Sequence, residues 1–196
     1  MSRKINCIIV SGFLGSGKTT FVNQLLQQID SKKNTAIAIN DFGKVNLDVS
    51  LINFSEKRII SLNKGCICCS LAARFISDFD KLYNEQPLVD TLLIEASGIT
   101  SLKSLTQMLA ADYLKERLNI ASVISIVNSE NYIKLLKKLT IIKEQVAYSD
   151  IIVLNFKDTT PVSLFKETKD AISNLNTKAT ILETSFSKIP INLLSF

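Results

Sequence analysis

Apolar residues in this chain fall into short unbroken runs separated by amphipathic stretches. The runs at 5–11, 35–39, 58–62, 91–95, 121–127, 151–154 and 180–183 have strand length and are rich in Ile, Val and Leu. Most are continuous rather than alternating with polar residues, as expected of a parallel sheet covered on both faces. Between them, apolar residues recur at helical spacing over 18–29, 71–82, 102–116, 129–138 and 162–175. Strand and helix in this alternation predict a doubly wound α/β fold: a mostly parallel sheet, helices on both faces, right-handed crossovers. Neither a repeat nor a Pro/Gly-rich linker interrupts the 196 residues, so one domain is expected. Ligands of such sheets bind beyond the carboxyl ends of the strands, and the residues that end each run are therefore the informative ones.

The first run ends in Gly12-Phe13-Leu14-Gly15-Ser16-Gly17-Lys18-Thr19-Thr20, a match to G-x-x-x-x-G-K-[ST] with a strand before it and a helix after it. The glycines let the backbone turn tightly and aim successive N–H groups at phosphate oxygens. The following helix directs its positive end at the same anion. Lys18 is placed to reach the β- and γ-phosphates and the Thr19 hydroxyl to ligate Mg²⁺. This is the loop of a P-loop NTPase with three-layer architecture, and Gly12, Gly15, Ser16, Gly17, Lys18, Thr19 and Thr20 form the expected phosphate site.

Other strand ends add to it. Glu95-Ala96-Ser97-Gly98 puts an acid after a buried run, suited to holding Mg²⁺ or orienting the attacking water, and a glycine whose N–H suits a γ-phosphate. Asn155-Phe156-Lys157-Asp158 has the Asn and Asp spacing of the guanine-reading N-K-x-D motif, in which the carboxylate accepts from guanine N1–H and the exocyclic amine. Phe156 occupies the Lys position, where an aromatic ring suits packing against a purine. The polar stretch 40–48 lies where a nucleotide-responsive loop is expected. Asp41 is its candidate for the Mg²⁺ region, with a plain solvated loop as the alternative.

Charge and cysteine content refine this picture. A net charge of +5 comes from scattered lysines, which favours a solvated basic surface over nucleic-acid binding. No run reaches the ~20 apolar residues of a membrane span, and the amino terminus lacks a signal-peptide pattern, so a cytoplasmic protein is expected. Four cysteines in that compartment are thiols or ligands rather than disulfides. Cys66, Cys68 and Cys69 sit together just before a helix and offer three soft ligands to Zn²⁺ or Cu⁺. The chain has no histidine to close such a site, which leaves Asp41, water or a second subunit, and hence a homodimer, as the fourth partner. Cys7 stands alone on an apolar run and reads as a core residue.

Taken together, GFLGSGKTT, NDFGKVNLD, GCICCS, EASG and NFKD, in this order, resemble the CobW-like branch of the SIMIBI-class P-loop GTPases, as does EQVAYSD at 144–150. That branch is related to the nickel-insertion GTPases of urease and hydrogenase maturation, and the resemblance spans essentially the whole chain. It implies a slow GTPase that binds GTP or GDP with Mg²⁺ and couples nucleotide state to a transition metal, commonly zinc. It places Cys66, Cys68 and Cys69 at the metal, Lys18, Glu95 and Asp41 at the chemistry, Gly98 in the switch region, and Asn155 and Asp158 at the guanine. A metalloprotein client or a separately encoded domain is the implied partner. The chain departs from the family pattern at Lys44, where Glu is usual, at Phe156, and at Asn128, where Asp is common. The family's carboxyl-terminal domain and histidine-rich tract are not among these residues, so a GTPase domain alone is expected. Two other classes remain: a nucleotide-gated binding protein with negligible turnover, and a P-loop small-molecule kinase, for which neither an acceptor site nor a lid is evident.

Overall fold

The computed structural model describes residues 3–29, 34–39, 58–61, 70–84 and 88–194, with side chains described outside 58–61 and 70–74. Among the described residues seven strands, β1 (Ile5–Ser11), β2 (Thr35–Ile39), β3 (Arg58–Ser61), β4 (Thr91–Glu95), β5 (Leu118–Asn128), β6 (Ile151–Asn155) and β7 (Thr180–Glu183), form one sheet in the order β3-β2-β4-β1-β5-β6-β7. Every pairing is parallel. Among the described residues, helices α1 (Lys18–Gln28), α2 (Ser70–Asn84), α3 (Leu102–Leu109), α4 (Asp112–Lys115), α5 (Tyr132–Leu136), α6 (Thr140–Ala147) and α7 (Val162–Leu175) lie between the strands. Among the described residues no helix is long and apolar enough to cross a membrane.

The continuous apolar runs have their cause in burial on both faces. On β1, Ile5, Cys7 and Ile9 join Phe75 and Phe79 of α2 and Leu102 and Leu109 of α3, whereas Ile8 and Val10 join Phe21, Val22, Leu25 and Leu26 of α1. Successive side chains of a strand point to opposite faces, so a strand covered twice must be apolar at every position. On β6, Ile151 and Val153 belong to the α1 layer, while Ile152 and Leu154 pack with Val146 of α6 and Phe165 and Ile172 of α7. Burial pushes the Cys7 thiol well above its ordinary pKa, consistent with a core residue.

Four differences from the sequence expectation go beyond one or two residues at the end of an element. The stretch 102–116 is two helices, because Ala111 is extended (φ −60°, ψ 150°) between α3 and α4. Leu102, Leu109 and Leu114 are all buried in one cluster. A single helix would carry Leu114 about 120° around from Leu102, at ~100° per residue, and the break restores both to the core. Strand β5 starts at Leu118, with a register shift against β1 between Cys7 and Ile8 that leaves Ala121 as the extra residue. Helix α5 begins at Tyr132, not 129, because Asn128 Oδ1 takes the Glu130 N–H at 2.9 Å and Ser129 is drawn to β6. Helix α6 was not expected; its buried face is Ile142, Gln145 and Val146, and the polar member hides the helical spacing.

Candidate functional site

Strands β1, β4, β5, β6 and β7 end on the same edge of the sheet, and their trailing loops meet there. The loop after β1 turns through three glycines of positive φ, Gly12 (139°), Gly15 (73°) and Gly17 (99°). At Gly12 a Cβ would also run into the carbonyl oxygen of Ile126, so glycine is required twice over. Gly17 sits left-handed as the N-cap of α1 and supplies no side-chain cap. The first amides of α1 are therefore available to an anion at the positive end of the helix. Lys18 Nζ donates to Phe13 O at 3.2 Å across the loop mouth. Ser16 is buried, and its Oγ has no hydrogen-bond partner among the described residues. Thr20 is exposed on α1.

Thr19 and Glu95 meet. The Thr19 hydroxyl donates to Glu95 Oε1 at 2.9 Å, and Glu95 is 6% exposed at the end of β4. Two hard oxygen donors side by side at the loop mouth fit a Mg²⁺ site. Gly98 follows in the turn 97–100, closed by Thr100 N–H to Ser97 O at 3.0 Å. A Cβ on Gly98 would stand 2.8 Å from Leu14 N, so the turn lies directly against the phosphate loop.

Asn155 ties the phosphate loop to the base side. Its Nδ2 donates to Ser16 O (3.1 Å) and Ser187 Oγ (2.8 Å), and its Oδ1 accepts from Ser187 N (2.9 Å). Ser187 Oγ in turn donates to Gly17 O at 3.2 Å. Phe156 (φ 66°), Phe186 (56°) and Ser187 (57°) are all left-handed without being glycine, and both loops are thereby bent over the same rim. Asp158 is exposed, as is Phe186, whose carbonyl accepts from Gln24 Nε2 at 2.8 Å. From β5, Asn128 Nδ2 donates to Gly15 O at 3.4 Å, and Ser129 Oγ reaches Asn155 O and Thr160 Oγ1. Behind the loop a cavity of about 20 Å³ is lined by Phe13, Ser16, Tyr132 and Gln145 among others, room for roughly one water.

The residues from Gly12 to Thr19, Glu95, Gly98 and Asn155 thus come together, while Asp158 is exposed in the loop that follows β6. Asp41, Cys66, Cys68, Cys69 and Lys44 lie outside the described residues. Sequence reasoning missed Ser187 and Phe186. The available signal was the polar run Thr184-Ser185 that ends β7 on the same edge as the recognised motifs.

A family model described as the CobW/HypB/UreG nucleotide-binding domain matches residues 6–183. A zinc chaperone CobW from a Sinorhizobium species is 27% identical over 97% of this chain and 62% of its own length. The zinc chaperone YjiA of Escherichia coli is 28% identical over 95% of this chain and 59% of its own. The zinc-regulated GTPase metalloprotein activator 1 of Saccharomyces cerevisiae is 28% identical over 98% and 51%. The chain spans about half the length of the curated relatives it matches. Among solved structures, Zn(II)-bound YjiA GTPase from E. coli superposes with a TM-score of 0.72 at 22% identity, covering 92% of this chain and 57% of that one. HypB from Helicobacter pylori in complex with nickel gives 0.61 at 20%, covering 97% and 82%. At these identities the structural likeness establishes the fold.

Proposed function

Because the chain belongs to the family of CobW/HypB/UreG nucleotide-binding domains, we propose that it is a slow GTPase whose nucleotide state governs its hold on a transition metal, zinc above all. The observation that carries the nucleotide half is the open amino end of α1, with Lys18 and the Thr19–Glu95 pair at its mouth. Lys18 would leave Phe13 O for the β- and γ-phosphate oxygens, and the α1 amides would take the remaining phosphate charge. Mg²⁺, held by Thr19 with Glu95 beside it, would neutralise charge that develops on the phosphates. Glu95, with Asp41 as the alternative, would orient the attacking water. Gly98 would offer its N–H to the γ-phosphate, and so report its presence. At the rim, Asp158 would accept from guanine N1–H and the exocyclic amine, with Asn155 holding the two loops that flank the base. Catalysis would come from positioning and preorganised charge, and hydrolysis without a partner would be slow.

The metal half rests on Cys66, Cys68 and Cys69 and on the zinc chaperones among the relatives. The zinc-regulated GTPase metalloprotein activators among the relatives support a metalloprotein client as the destination. Phe156, left-handed at the position where Lys is usual, favours as a second reading a nucleotide-gated binder with negligible hydrolysis. Phosphate release with and without Zn²⁺ separates the two. The test of the main reading is a titration of Zn²⁺ into the reduced protein with Mg-GDP or with a non-hydrolysable GTP analogue, against a variant with all three thiols changed to Ser. Thiol-dependent affinity that differs between the two nucleotides is expected. Equal affinity in the variant would refute the metal switch.

A further inference from the structure

Gly98 is gripped from a second direction, by helix α6, which carries Glu144 and Gln145 of the family-like segment at 144–150. Gln145 of α6 is 3% exposed on a face otherwise made by Ile142 and Val146, where an aliphatic side chain would carry no desolvation penalty. Its Nε2 donates to Gly98 O at 3.1 Å. The neighbouring Glu144 Oε1 accepts from Ser101 Oγ (2.7 Å) and from Lys103 N (3.2 Å) at the start of α3. The two side chains thus hold both ends of the segment 98–103. On its other side Gly98 is pressed against Leu14 of the phosphate loop.

The helical turn that carries the pair is itself fastened. Gln145 O accepts from Ser125 Oγ of β5 at 2.9 Å, and the Ser149 hydroxyl shares its one proton between Gln145 O at 2.6 Å and Ser125 Oγ at 2.7 Å. The turn 97–100 is closed internally by Thr100, through its N–H to Ser97 O and its Oγ1 to Ser97 Oγ. It is therefore set in place by what grips it from outside. We propose that Gln145, with Glu144 beside it, is the positioning pair that sets the Gly98 turn for recognition of the terminal phosphate of a nucleoside triphosphate. The inference rests on the proposed role of Gly98 at the γ-phosphate.

The amide bond to Gly98 O fixes the peptide plane next to the N–H assigned to the γ-phosphate. A diphosphate has no group at that position. Losing the Gln145 donor therefore weakens triphosphate binding and leaves diphosphate binding in place, whereas a merely structural helix would weaken both alike. The outer face of α6, with Lys143, Ala147 and Tyr148 exposed, is thereby joined by one side chain to the part of the site that senses hydrolysis.

The experiment measures by calorimetry the affinities of the full chain for Mg-GDP and for a Mg-bound non-hydrolysable GTP analogue, in wild type, Gln145→Leu and Gln145→Met. The Met variant keeps the length and flexibility of the side chain without the donor, and guards against a folding failure of the Leu variant. One neutral hydrogen bond lost predicts a fall of about five- to tenfold for the analogue and less than about twofold for GDP. Glu144→Ala moves the ratio in the same direction, and Glu144→Gln, which keeps an acceptor, moves it less. Equal loss for both nucleotides, or no change for either, while wild type binds both, overturns the positioning role and leaves the proposed function standing. Failure of wild type to bind either nucleotide overturns the proposed function first and this inference with it.

Discussion

Replacing Asn155 by Ala removes the side chain through which the phosphate loop and the loop after β7 hold each other. Three hydrogen bonds go at once: Nδ2 to Ser16 O, Nδ2 to Ser187 Oγ, and Ser187 N to Oδ1. Asn155 is 2% exposed, so water does not readily replace what is lost. At about 1 kcal/mol for each bond the substitution costs roughly 3 kcal/mol. In a chain of this size that is a Tm lowered by about 6–12 °C. Ser187→Ala removes one of the same three bonds and its donation to Gly17 O, and costs about 2 kcal/mol. The shared Nδ2–Oγ bond must appear as coupling, with the double variant about 1 kcal/mol less destabilised than the sum of the singles. Thermal and urea unfolding of the four proteins gives the cycle. Strict additivity, or an Asn155→Ala cost below about 1 kcal/mol, would refute the claim that this amide joins the two loops.

Three further substitutions test local causes. Gly15→Ala meets open space and only the left-handed backbone (φ 73°), so it should cost about 1 kcal/mol, whereas Gly12→Ala adds a collision with the Ile126 carbonyl and should cost well over ~2 kcal/mol, read as Tm. Glu183 is held below its ordinary carboxylate pKa, first by the hydrogen bond from Lys157 (2.8 Å) and then by that from Lys169 (2.7 Å). Its contribution is therefore present above the ordinary carboxylate range and is lost as pH falls through the lowered value. The Tm difference between wild type and Glu183→Gln, small for a surface pair, should vanish in acid; a difference unchanged down to acid pH would contradict this.

The sheet was legible because burial on both faces leaves its mark at every position of β4 and β6, and at every position of β1 but Asn6, not at alternate ones. The phosphate loop was legible because its glycines answer to backbone demands that the structure bears out at Gly12 and Gly17. What escaped depends on partners distant along the chain. The break at Ala111 is decided by a core that Leu102 and Leu114 must share, and alanine carries no local signal for it. Gln145 lies in the family-like segment at 144–150, but its acceptor, Gly98 O, is 47 positions away and leaves no local signal. Phe186 and Ser187 adopt a left-handed conformation in which Phe186 O meets Gln24 and Ser187 meets Asn155 and Gly17 O, all of them distant in sequence. The thiol cluster is the reverse case, plain in the sequence and outside the described residues.

The account stands most directly on the identity of the nucleotide. Calorimetric titration of the full chain with Mg-GDP and Mg-ADP, alongside Lys18→Ala and Asp158→Ala, measures it. The account predicts that GDP binds at least tenfold more tightly than ADP, that Lys18→Ala abolishes tight binding, and that Asp158→Ala erases the preference for guanine. Equal affinity for the two nucleotides, or an affinity for GDP that Lys18→Ala leaves unchanged, would contradict it.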